Sequence, residues 1–205
     1  LAELLMEQDS RGGVLVQLGY LYLLLMMLAV GAILAAAMVM QYAFGELPCP
    51  LCLLQRVALF GAAFGVAAQF RHGFSWRNLG IVVGFALLLL VVAVRQTLLD
   101  IAPRPGHEFI GSAVLGLHMP VWSILIATAL LGACALALVV LGGGPGIEQV
   151  PLGAHPHLVR AGAVVSVALI LLCAVNFVSV VLQCGLDECH TMGYRLLGGL
   201  PPGTS

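Results

Sequence analysis

Long apolar stretches broken by short polar punctuation dominate this chain. A helix needs about 20 apolar residues to cross the hydrocarbon core. Five runs reach that length almost without charge: Leu18 to Tyr42, Leu53 to Phe70, Leu79 to Leu99, Val121 to Leu141 and Val159 to Leu182. Each predicts a membrane-spanning helix. Between them lie "FGELPCPLC", "RHGFSWRN", the longer "DIAPRPGHEFIGSAVLGLHMP" and "GGGPGIEQVPLGAHPHL", all carrying the Gly, Pro or charge that ends a helix. The clearest break runs from Gly142 to Pro145. The pattern predicts an all-α membrane bundle, with a four-helix unit over residues 1–142 and then, over 143–205, a linker, a fifth span and a tail.

Composition agrees: 61% of the 205 residues are hydrophobic and 8% charged. All eight cations are arginine, and a net charge of -1 offers no basic field for nucleic acid. The first apolar run follows the polar segment "EQDSRGG" and is long, so it reads as a retained span rather than a signal peptide. The first residue is Leu, which leaves processing upstream as an open reading. The arginines divide evenly between the two sides, Arg11, Arg71, Arg77 and Arg160 against Arg56, Arg95, Arg104 and Arg195. Arginine counts therefore say little about orientation. The closeness of Arg56 and Arg95 to spans favours a cytoplasmic N-terminus and an external C-terminus.

The six cysteines carry the candidate chemistry. Cys134 and Cys173 sit inside predicted spans among Ala, Leu and Val, where cysteine acts as a small buried apolar residue. The other four form two close pairs at span boundaries, Cys49 with Cys52 and Cys184 with Cys189. Four spans separate Cys52 from Cys184, so both pairs meet the same solvent whatever the orientation. In an oxidising compartment such as the periplasm they can hold disulfides and exchange with one another.

Pro48 and Pro50 stop the first helix and place Cys52 in the opening turn of the second. The helix N-terminus and Arg56, four residues on, both favour a thiolate there, and Cys49 outside the helix is expected to be the more exposed partner. An arginine one turn inside a span either snorkels to the interface or stabilises an anion. Oxidising a dithiol releases two electrons, and a membrane quinone is an acceptor that needs no haem, flavin or iron-sulfur motif in the chain. Arg95, Asp100, His107, Glu108 and His118 either line a quinone head-group site or solvate an interfacial loop. Two other readings attach to the tail "CGLDECH": c-type haem, whose usual C-x-x-C-H spacing it does not match, and zinc on Cys184, Cys189 and His190. No metal is expected.

The segment "CPLCLLQR" entering one span, followed by "LGLHMPVW" entering a later one, resembles the DsbB family of quinone-linked, disulfide-generating membrane proteins. The resemblance covers roughly Leu18 to Leu141. It implies that Cys49 and Cys52 pass electrons to ubiquinone or menaquinone, that Cys52 contacts the quinone, and that Arg56 supports its binding, with Arg95 and His118 as further candidates. It also implies a soluble, DsbA-like thioredoxin-fold partner, and an inner-membrane protein with both pairs on the periplasmic face. The chain departs from the family in the loop from Asp100 to Pro120, which lacks the expected second cysteine pair. Cys184 and Cys189, beyond an added span, are the expected replacement. The alternative is a DsbB-like accessory or scaffold subunit of a larger membrane complex, without turnover.

Overall fold

The computed structural model describes residues 2–102, 113–141, 156–185, 189 and 193–198, with only the backbone for 2–13 and 15. Five helices follow in order: α1 Ala2–Ala43, α2 Pro50–His72, α3 Trp76–Ile101, α4 Met119–Leu141 and α5 Pro156–Cys184. Each contains a stretch long and apolar enough to cross a membrane, that of α1 being Val16–Ala43. The described residues thus form an all-α membrane bundle with the five predicted spans. The expected helix ends lie close to the observed ones except at the start of α1. There the polar segment continues as helix from Ala2, because its Ala, Leu, Glu, Met and Gln are strong helix formers and contain no proline.

Lipid provides no hydrophobic drive for helices to associate, so close van der Waals approach between small residues must do so. Helix α2 supplies such a face and occupies the middle, packed against α1, α3 and α5, while α4 packs chiefly against α3. A Cβ added at Gly65 would lie 2.8 Å from Val82 Cγ2 and 3.0 Å from the Asn78 carbonyl. The rings of Phe85 and Phe70 press similarly on Gly61 and Gly162. The core between these contacts holds Met27, Val30 and Leu34 of α1, Ala62 and Val66 of α2, Val82 and Leu89 of α3, and Cys134 of α4. Because the neighbour at Gly65 includes backbone, Gly65→Ala is expected to destabilise by about 1–3 kcal/mol. A lowered thermal midpoint of the detergent-solubilised protein measures it, and an unchanged midpoint contradicts the close α2–α3 contact.

Large apolar side chains such as Val57, Phe64, Val91, Val139, Ile170 and Phe177 point outward, as they do on surfaces that face lipid. Cys173 joins them: it is exposed on the outer face of α5, which corrects the expectation that it is buried. The reason is that α5 turns only one narrow stripe inward, through Gly162, Leu169, Asn176, Ser179 and Gln183, and Cys173 lies off it. Cys134 is buried as expected, at 1% exposure.

Two tight links fix how the helices enter the bundle. Between α2 and α3 the fully buried Gln69 bonds both backbone groups of Ser75, accepting from its N–H at 2.6 Å and donating to its carbonyl at 3.0 Å. Before α4, Val114 and Leu117 pair across Leu115 and Gly116, both at positive φ, and the Trp122 indole N–H donates to the Val114 carbonyl at 2.9 Å.

Candidate functional site

The chain leaves α1 through Gly45, whose φ of 70° turns the backbone so that the Glu46 N–H returns to the Met40 carbonyl at 3.2 Å. Pro48 and Pro50 then bracket Cys49, which is the N-cap of α2, with Pro50 in the first helical position where its missing N–H does no harm. The Cys52 N–H, one of the orphan donors of that helix start, points at Cys49 Sγ at 3.0 Å. Cys49 and Cys52 form one disulfide and Cys184 and Cys189 another.

Burial within the first pair is opposite to expectation. Cys49 is only 5% exposed, whereas Cys52 is half-buried. Tertiary packing covers Cys49 from two sides. Gln96, near the end of α3, brings its Nε2 to 3.6 Å from both sulfurs, and Gln183, at the end of α5, donates to the Pro48 carbonyl at 2.9 Å. The same bond sets Gln183, next to Cys184, against Pro48, next to Cys49. The two disulfides therefore sit at one end of the bundle, as the span count requires.

A cavity of about 420 Å³ lies beside the first disulfide. Cys52 forms part of its wall together with Arg56, Gln55 and Gln96, and the rest is largely apolar, including Ile33, Met40, Leu59, Met119, Trp122 and Ile126. Volume and lining, mostly apolar with a few convergent polar groups, suit a small planar organic molecule. Arg95 and His118 do not line it. Both are exposed, and Gln96, the residue after Arg95, takes the inward position one helical step round. Asp100 is half-buried and also away from the cavity wall, and Arg104, His107, Glu108 and His190 lie outside the described residues.

Arg56 does not snorkel. It is 8% exposed and donates to Gln41 Oε1 at 2.6 Å and to the Ala37 carbonyl at 3.1 Å on α1, and to Asn176 Oδ1 at 3.0 Å on α5. Its rigid fork of donors ties three helices together next to the cavity. The tail reaches the same cluster, because Gln41 Nε2 donates to the Tyr194 hydroxyl at 3.0 Å. Ser179, one turn beyond Asn176, bonds Tyr42.

None of these partners is marked by a motif in the sequence. A signal is nonetheless present: Gln41, Gln55, Gln96, Asn176, Ser179 and Gln183 are polar residues within or at the end of apolar spans, where a polar side chain must find a partner. Arg56→Met leaves Gln41 Oε1 and Asn176 Oδ1 without this donor and is expected to destabilise by about 2–4 kcal/mol. Arg56→Lys keeps the charge but not the fork, so its loss should be intermediate. Thermal unfolding in detergent ranks the three proteins, and equal stabilities contradict the tethering.

The part of the chain that carries the first disulfide is also where a known family resembles it. A family model described as Disulfide bond formation protein DsbB matches residues 20–112. The chain is 32% identical over 114 residues to the Disulfide bond formation protein B of Chromohalobacter salexigens, an overlap of 50% of this chain and 63% of that protein. It is 35% identical over 121 residues to the Disulfide bond formation protein B of Marinobacter nauticus, an overlap of 57% of this chain and 72% of that one. The chain belongs to the DsbB family. The DsbB match takes in the Cys49–Cys52 pair, Arg56 and Gln96, and it ends before α4, α5 and the second disulfide. No solved structure matches. As a DsbB relative with five apolar helices, the chain is a multi-pass membrane protein.

Proposed function

We propose that this protein is a membrane protein-disulfide oxidoreductase that reoxidises a soluble, DsbA-like thioredoxin-fold dithiol and delivers the electrons to a membrane quinone, ubiquinone or menaquinone. The observation that carries the reading is the pair of disulfides at one end of the bundle, one of them in the wall of an apolar cavity. In this reading both pairs face the periplasm across the inner membrane. The Cys184–Cys189 disulfide takes electrons from the partner, and the resulting dithiol reduces Cys49–Cys52 by thiolate attack on disulfide sulfur.

A quinone fits the residues present. The apolar wall suits its ring and tail, the Gln55 and Arg56 N–H groups are donors suited to its oxygens, and Cys52 is the sulfur on that wall. When bound, it supplies a two-electron, two-proton acceptor. Arg56, held by neutral acceptors rather than by a carboxylate, keeps a positive charge available beside the cavity. The apolar lining excludes water from the Cys52 side, and Gln96 and Gln183 cover the Cys49 side.

The test uses the purified full chain with a reduced thioredoxin-fold protein and a short-tailed quinone. One quinone should be consumed for each disulfide formed. A protein that consumes none under these conditions is not an oxidase of this kind, and the scaffold-subunit reading then stands in its place.

A further inference from the structure

Three side chains from three helices form a chain of hydrogen bonds that ends on the first disulfide. The Ser123 hydroxyl of α4 lies 2.7 Å from Gln55 Oε1 on α2, with the Met119 carbonyl of its own helix at 3.3 Å. Gln55 Nε2 donates to Gln96 Oε1 on α3 at 2.8 Å. That bond turns the other end of the Gln96 amide, its two N–H groups, toward Cys49 Sγ and Cys52 Sγ, each 3.6 Å away. Gln55 and Gln96 are 7% and 6% exposed, so the chain runs through a poorly solvated interior where a donor acts more strongly on charge than it does in water.

A neutral disulfide has little use for two donors. A sulfur that has just accepted an electron pair has a strong one, since hydrogen bonds to an anion are about twice as strong as neutral ones. We propose that Gln96 is a catalytic donor that holds negative charge on whichever sulfur of the Cys49–Cys52 pair carries it, and that Gln55 and Ser123 are positioning residues that aim it. The inference rests on the oxidoreductase reading and adds to it a residue for the exchange between the two pairs.

The exchange shows where the charge falls. A thiolate of the reduced tail pair attacks Cys49 Sγ. A bond forms between those sulfurs, the Cys49–Cys52 bond breaks, and its electron pair stays on Cys52 Sγ. The second tail thiol then loses its proton to solvent and attacks the first, which re-forms Cys184–Cys189 and leaves an electron pair on Cys49 Sγ. Charge thus appears on Cys52 and then on Cys49. Cys49 Sγ also receives the Cys52 backbone N–H at 3.0 Å, whereas Gln96 is the side-chain donor the structure shows at Cys52 Sγ. A donor equidistant from both sulfurs serves each step, and a better-stabilised leaving sulfur departs faster.

The test reads the thiols themselves and needs neither quinone nor partner. The reduced full-length protein is alkylated across a pH series, and mass spectrometry scores Cys49 and Cys52 separately from the other cysteines. Glu46 and Arg56, the charged residues on the same cavity wall, stay in place. In Gln96→Met, which keeps volume and removes the donor, the pKa of the first thiol to ionise should rise by about one to two units, or 10- to 100-fold less thiolate at a given lower pH. An unchanged profile in a folded Gln96→Met protein overturns the proposal. Should that variant not fold, Gln96→Asn withdraws the amide by one methylene and carries the same test, a raised pKa supporting the proposal and an unchanged one overturning it. A shifted profile in a protein that oxidises no dithiol would instead sink the oxidase reading and leave the donor standing.

Discussion

Cys52→Ala protein, given a reduced thioredoxin-fold substrate and a short-tailed quinone, should consume quinone only at the background rate. The first pair can accept two electrons only as a disulfide, and without Cys52 the remaining Cys49 can form at most a mixed disulfide with the tail. The loss should be complete rather than graded, because no other described cysteine can stand in: Cys134 is buried in the core and Cys173 faces away from the bundle. The fold should survive, since the α2 start keeps its Cys49 cap position and the Leu53 N–H bond to the Cys49 carbonyl at 2.9 Å. Quinone absorbance measures the rate. Turnover near the unsubstituted rate would remove Cys52 from the mechanism.

Replacing Cys184 and Cys189 together by serine should separate two activities. With a protein dithiol, quinone reduction should fall to background. With a small dithiol such as dithiothreitol it should persist. The cause is steric: Cys49 is 5% exposed beneath Gln96 and Pro48–Gln183, so a folded partner cannot approach it directly, while half-buried Cys52 borders a cavity of about 420 Å³ that a small thiol can enter. Loss of the tail disulfide also removes about 2 kcal/mol of loop-closure stabilisation, a local effect at the end of α5. Full activity with a protein dithiol would show that the tail pair carries no electrons, even if Cys49 and Cys52 do.

Much of the architecture is legible in the chain because the bilayer imposes a length and a polarity on every span. Five runs of the right length correspond to five helices, and the prolines around Cys49 mark the start of α2. The site is legible only in part. Arg56 stands out by its position inside a span, but its partners come from α1 and α5, and Asn176 lies far away in sequence. Arg95 stands out as a charge near a span end, yet the adjacent Gln96 reaches the sulfurs. A helix advances about 100° per residue, and only the packing of α3 against α2 selects which of two neighbours points in.

The number of spans, the grouping of four cysteines into two close pairs and their shared side all follow from the residues in order, because composition, spacing and span parity do not depend on how helices pack. Packing in three dimensions is what covers Cys49 while leaving Cys52 at a cavity, ties Arg56 to neutral acceptors on two other helices, and lets α5 seat the tail beside the first pair. Those outcomes depend on which faces small residues such as Gly65 and Gly162 allow to meet, and on where a few buried amides find partners in a medium with no water to offer.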